Sequence, residues 1–284
     1  MEAIQKTGHD LYMKLNGVAT CYDDLGTGFP IIFIHGFPLD KSTWQPQMEF
    51  LSKTNRVIAF DLRGFGKSTP RKEKVTIASF ADDLIIFMDN LGIKKAIVCG
   101  LSMGGYILIN AINRYPERFE AIVLSDTQCT VDSPDEIEIR EKKIQQIKLI
   151  GLTEFADDTI KHIFCKNTLK TKKELVEKIA YLILSTSVIA ISGALTAMAK
   201  LKEMYSTLNK IEVPTLIICG KEDTVTPTAQ SEFLNNNIKN SKLVIIENAG
   251  HLSNLEQPEE FNVHLRNFVA EVVEKKSKSV LLTI

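Results

Sequence analysis

Short apolar runs separated by helical periods organise most of the chain. Eight runs of β type stand out, at 11–15, 18–22, 31–35, 57–60, 96–99, 121–124, 215–219 and 243–246. From the third onward most are continuously apolar rather than alternating. Strands covered by helices on both faces read this way, which predicts a mostly parallel eight-stranded sheet flanked by helices. The first two runs flank Asn16-Gly17, a strong two-residue hairpin signal, so the chain is expected to enter the sheet through an antiparallel pair.

Between Asp126 and Val213 this alternation stops and helix signatures take over. Ile137, Ile144, Ile147 and Ile150 are expected on one helical face, with Gly151 as the stop. Thr171-Lys172-Lys173-Glu174 reads as a capping box opening a helix through Leu184, and residues 188–205 read as a further helix. The chain thus divides into an α/β core, residues 1–126 and 211–284, and an inserted cap of about four helices over residues 127–210. The stretch 275–284 is expected to fray.

Composition narrows the functional classes. The chain has 284 residues, 44% hydrophobic and 24% charged, with a net charge of -1. That balance gives no general attraction to nucleic acid or to an anionic membrane. No apolar secretory segment opens the sequence, and the weakly polar stretch 188–198 is too short to span a bilayer. Cys21, Cys99, Cys129, Cys165 and Cys219 are odd in number, scattered and without a C-x-x-C pair. They suggest neither a disulfide framework nor a metal site, so a cytoplasmic protein is expected.

The chemistry starts at Gly100-Leu101-Ser102-Met103-Gly104, directly after the run 96–99 and before a helix-compatible stretch. Composition alone would produce such a pentapeptide about once in twenty chains of this kind. Its strand-turn-helix setting is what a nucleophile elbow requires, with small residues two before and two after the serine. An elbow serine needs a base and an orienting acid. Asp223 follows the strand 215–219 and His251 follows the strand 243–246, so all three sit at strand C-terminal ends, in the order Ser, Asp, His. Taken alone, Asp223 reads as a cap for the helix near Thr226-Pro227, and His251 as an ordinary loop histidine. Their order behind the elbow favours chemistry.

Asp126 also lies past a strand and is a second candidate acid, ranked behind Asp223 as a structural or entrance residue. His35 ends a strand well before the serine and reads as a structural histidine; His9, His162 and His264 lack supporting context. Oxyanion donors are expected from the backbone N–H of Met103 and, in the loop His35-Gly36-Phe37-Pro38, from that of Phe37. Phe37, Trp44, Met103 and Met198 are the expected walls of a compact apolar acyl pocket.

These motifs, with Asp61-Leu62-Arg63-Gly64-Phe65-Gly66-Lys67-Ser68 and Ala249-Gly250-His251, resemble the serial signature of the α/β-hydrolase superfamily from about residue 10 to residue 270. Within it the chain is similar to small carboxylesterases and 3-oxoadipate enol-lactonase-like hydrolases. The Ser-Met-Gly-Gly elbow is shared with cofactor-free haloperoxidases or perhydrolases. The resemblance implies the α/β-hydrolase fold and hydrolysis of a small ester or lactone through an acyl-enzyme, without metal or organic cofactor. It also implies that the Asp61–Ser68 loop braces the edge of the site. Enol-lactonase substrates are carboxylates, whose bidentate recognition favours arginine, yet Arg140 is the only arginine between Asp126 and Val213; a lysine or a backbone site could serve instead. Two other readings stay open. Lys161, Lys166, Lys170, Lys172, Lys173 and Lys178 could dock an acidic acyl carrier protein, as in carrier methyl esterases or thioesterases, or form a solvated helix face. The fold could also serve as a ligand-binding sensor. In any of these roles a monomer or homodimer is expected.

Overall fold

The computed structural model describes residues 7–70 and 74–281. Asn16 and Gly17 turn the chain at φ of 47° and 85°, so β1 (Gly8–Leu15) pairs antiparallel with β2 (Val18–Leu25). Two positive φ values are what the tight turn between twisted strands demands. β2 runs antiparallel to β4 (Arg56–Phe60), and every later pairing is parallel. The remaining strands are β3 (Pro30–Ile34), β5 (Ala96–Leu101), β6 (Phe119–Ser125), β7 (Thr215–Gly220) and β8 (Ser241–Ile246). They form one sheet in the order β1-β2-β4-β3-β5-β6-β7-β8. All six residues of β5 and of β7 are buried, which is why their sequences carry no polar alternation.

The helices that pack on this sheet include α1 (Gln45–Leu51), α2 (Ile77–Asn90) and α3 (Met103–Arg114). α2 opens with a capping box between Thr76 and Ser79 and buries Ile77, Phe80, Ala81, Leu84, Phe87 and Met88 at helical spacing. Between β6 and β7 lie α4 (Pro134–Ile150), α5 (Thr153–Ile163), α6 (Lys166–Thr171), α7 (Lys173–Ser185) and α8 (Val188–Ala199), here called the cap helices. After β7 come α9 (Thr228–Asn237), α10 (Ser253–Glu256) and α11 (Pro258–Leu281).

The cap departs from the sequence expectation in its details. It has five helices among the described residues, not four. Ile144 and Ile147 are buried, but Ile150 at the end of α4 is 51% exposed, because the last turn runs past the packed face. The capping box at Thr171 does not form, since Thr171 is still inside α6 and its hydroxyl donates to the Asn167 carbonyl. The box that does form links Ser133 and Glu136 at the start of α4. The helix expected over 188–205 stops at Ala199, and Tyr205–Lys210 forms a separate 3₁₀ segment. α11 continues through the stretch expected to fray as far as Leu281; residues 282–284 lie outside the described ones. No single described helix is long and apolar enough to cross a membrane.

Candidate active site

β5 delivers the chain to Ser102, whose φ of 52° and ψ of -115° lie outside the regions side chains ordinarily adopt. The strand and α3 cross so closely that a Cβ on Gly100 would run into the Gly104 carbonyl. One on Gly104 would lie 2.5 Å from the Ile34 carbonyl oxygen. The serine's own amide donates to the Ser125 carbonyl at 2.9 Å, and its carbonyl accepts from the Thr127 hydroxyl at 2.7 Å. The turn is therefore held by the end of β6 and the residue two beyond it, and Oγ is left free to project past the sheet edge.

The loops after β7 and β8 meet it there. His251 Nε2 lies 2.8 Å from Ser102 Oγ, and His251 Nδ1 lies 2.8 Å from Asp223 Oδ2. Asp223 is fixed in turn by the amides of Val225 and Thr226 on Oδ1, at 2.8 and 2.9 Å, and by the Thr226 hydroxyl on Oδ2 at 2.7 Å. Burial disfavours the carboxylate, but the imidazolium charge and these donors outweigh it and hold Asp223 below its ordinary value. Burial likewise pushes His251 down, while the Asp223 charge and hydrogen bond, with smaller help from Asp126 and Glu256, raise it above the usual imidazole value.

The competing candidates are occupied elsewhere. Asp126 Oδ2 accepts from the Ser125 and Ser253 hydroxyls at 2.8 and 2.6 Å, and Oδ1 accepts from the Gly220 amide at 2.8 Å. It thus joins the end of β7 to the start of α10, and burial, with the nearby Asp223 charge, pushes its carboxyl up to about 7. His35 is fully buried; its Nε2 accepts from the Leu62 amide at 3.0 Å and its Nδ1 donates to the Gly36 carbonyl at 2.9 Å. Burial takes it down to about 4, so it is a neutral brace. In the Asp61–Ser68 loop, Asp61 accepts the amides of Lys41 and Lys67, both at 2.8 Å, while Arg63 forms a buried ion pair with Asp83 of α2.

The two backbone segments expected to carry oxyanion donors lie close to the serine. Met103 is the first residue of α3, where a helix has no internal acceptor for the N–H. The loop carrying Phe37 presses on the same point: a Cβ at Gly36 would lie 3.1 Å from Ser102 Cβ.

One residue missed in the sequence ties the site to the cap. Glu256, fully buried at the end of α10, accepts the Gly250 amide on Oε1 at 2.7 Å and the Cys165 amide on Oε2 at 2.9 Å. The His251 amide itself donates to the Ile163 carbonyl of α5 at 2.8 Å. No periodicity or motif in the sequence marks Glu256, because the groups it binds are backbone amides.

A cavity of about 720 Å³ opens over Ser102 and His251, with Phe37 and Phe155 on its wall and Leu195 and Met198 reaching in from α8. Trp44 does not line it. The 3₁₀ turn Lys41–Trp44 rotates the indole inward, against Phe33 and Phe261 at 4.9 and 6.0 Å between ring centres. The Met103 side chain is fully buried in the core, since the elbow sends the residue after the serine back beneath α3. His162, without context in the sequence, lies on the cavity wall. None of the six cap lysines lines this cavity; Lys161 and Lys166 border a separate depression beside Lys221. Among the described residues no cluster of three or more His, Cys, Asp or Glu is arranged to hold a metal ion.

A family model for the α/β-hydrolase fold matches residues 30–152, and a serine hydrolase model matches residues 159–253. 3-Oxoadipate enol-lactonase 2 of Acinetobacter baylyi is 30% identical over 232 residues, covering 82% of this chain and 85% of its own length. An esterase from Thermogutta terrifontis superposes with a TM-score of 0.90 at 33% identity, over 92% of this chain and 99% of its own. The enol-lactonase from Burkholderia xenovorans LB400 gives 0.86 at 27% identity, over 92% and 100%. With this fold and these relatives, the chain belongs to the α/β-hydrolase family and is a carboxylic ester hydrolase.

Proposed function

We propose that the protein cleaves a small carboxylic ester or lactone through an acyl-enzyme formed on Ser102. The observation that carries this reading is the pair of 2.8 Å contacts linking Ser102, His251 and Asp223 at the base of one cavity. His251 Nε2 takes the Ser102 proton as Oγ attacks the carbonyl carbon, and Asp223 orients the ring and stabilises its cation. The amides of Phe37 and Met103 receive the developing oxyanion. Collapse of the tetrahedral intermediate expels the alcohol, which takes the proton from His251; in a lactone this oxygen stays tethered to the acyl chain. Water, deprotonated by the same nitrogen, then frees the acid and restores Ser102.

Lactones are a specific second substrate class, supported by the enol-lactonase relatives and by the size of the cavity, about 720 Å³. Ser102→Ala tests the reading with p-nitrophenyl butyrate. Turnover is expected to fall by about 10³-fold or more with the thermal midpoint retained. A variant that keeps parental turnover would sink the assignment. A flat response of the parent protein to esters, lactones and thioesters, with a ligand-induced rise in Tm, would favour a sensor instead.

A further inference from the structure

The cavity holds a polar group that ester cleavage does not use. Arg140 of α4 stands on the same wall as Met198. Its Nε and Nη2 are both taken by Asp132, whose side chain is only 8% exposed, so the guanidinium is fixed along one edge. Nη1 has no oxygen acceptor among the described residues; its one contact is the Met198 sulfur at 3.9 Å. A thioether is a weak acceptor. A fixed guanidinium N–H of this kind, without an oxygen partner and on a residue that lines the cavity, is a ready donor to a ligand.

Charge decides which oxygen it takes. The cavity wall carries Asp132, Glu136 and Asp158 against Arg140 and Lys143, three carboxylates to two cations. Asp132 already offsets Arg140, and Lys143 is paired with Asp158 at 3.0 Å. A further carboxylate entering here would meet a formal excess of negative charge. An uncharged oxygen gains the hydrogen bond without that repulsion.

We propose that Arg140 Nη1 forms a subsite for an uncharged carbonyl oxygen on the substrate, remote from the scissile bond, so that the protein selects keto or second-carbonyl esters and disfavours acid half-esters. This rests on the function proposed above.

The test is an isosteric series assayed by acid release. Ethyl esters carrying a ketone at C4 to C7 of the acyl chain, and acetates carrying one in the alcohol chain, are compared with alkyl esters of equal length and with monoethyl dicarboxylates. At the best carbonyl position kcat/KM is expected to exceed that of the alkyl ester about tenfold, and that of the half-ester by more. In Arg140→Lys, which keeps a cation for Asp132, the ketone-to-alkyl ratio is expected to fall close to one. Arg140→Met with Asp132→Asn, which leaves no unpaired charge, is expected to do the same.

Parental ratios near one at every position, half-esters that outrun the ketones, or a ratio preserved in both variants would each overturn the subsite. Binding separates its failure from that of the underlying function. Keto esters are expected to raise the Tm of Ser102→Ala, and not of Ser102→Ala with Arg140→Lys, whether or not the parent turns them over. Equal shifts in the two proteins would overturn the subsite with the triad untouched.

Discussion

Ser102 sits at a backbone conformation that costs a side chain about 1–3 kcal/mol and persists only where its surroundings impose it. Here Gly100, Gly104 and the Ser125 carbonyl impose it, and the return is an Oγ held 2.8 Å from an imidazole. The same scale fixes the pH response. In the proposed mechanism a protonated His251 cannot accept the serine proton, so kcat/KM is expected to fall as pH drops through its pKa, which the Asp223 charge holds above the usual value. In Asp223→Asn the burial that disfavours the cation is no longer opposed by this charge, so the acid limb is expected to move to lower pH. Plateau kcat is expected to fall by about 10³–10⁴-fold, because the amide no longer selects the right tautomer. An acid limb that stays in place, read from a pH–rate profile, would remove Asp223 from this role. These three residues were legible because each follows an apolar strand at a fixed point. Glu256 was not, because its partners are backbone amides that no side-chain pattern reports.

At the scale of elements, legibility followed burial. The central strands could be read because a strand covered on both faces must be apolar throughout, as β5 and β7 are. The cap helices obey a weaker rule. Ser133-x-x-Glu136 and Thr171-x-x-Glu174 offer the same capping chemistry, yet only the first is used, because the residues before Thr171 are already helical. Trp44 shows the same limit: nothing local says which way a 3₁₀ turn will aim its last side chain. The Arg63–Asp83 pair fastens the loop after β4 to α2, with both side chains less than a tenth exposed. Arg63→Met strands the carboxylate and is expected to cost about 3 kcal/mol, read as a lower denaturation midpoint at unchanged m-value. Unchanged stability would mean that Asp83 finds another partner, with Asn16 already 3.2 Å away.

Across the whole molecule, the loops at the sheet's edge carry the proposed reacting groups and the cap supplies much of the cavity wall, and Glu256 is one point where the two are fastened. A glutamine there can accept one of its two backbone amides and must turn its own N–H groups toward the other. Glu256→Gln is therefore expected to lose about 1–3 kcal/mol of local protection. The Gly250 and Cys165 amides should exchange hydrogen roughly tenfold to a hundredfold faster while those of β5 stay slow. Parental protection at both amides would show that the clamp is not needed.

The bond from the His251 amide to the Ile163 carbonyl has an engineering consequence. A chimera that swaps in a foreign segment between β6 and β7 also exchanges the acceptor that seats the proposed general base. Grafts that change the chamber and keep the reaction must therefore splice around the α5–α6 junction, retaining Ile163 through Cys165, and draw new specificity from α4, α7 and α8.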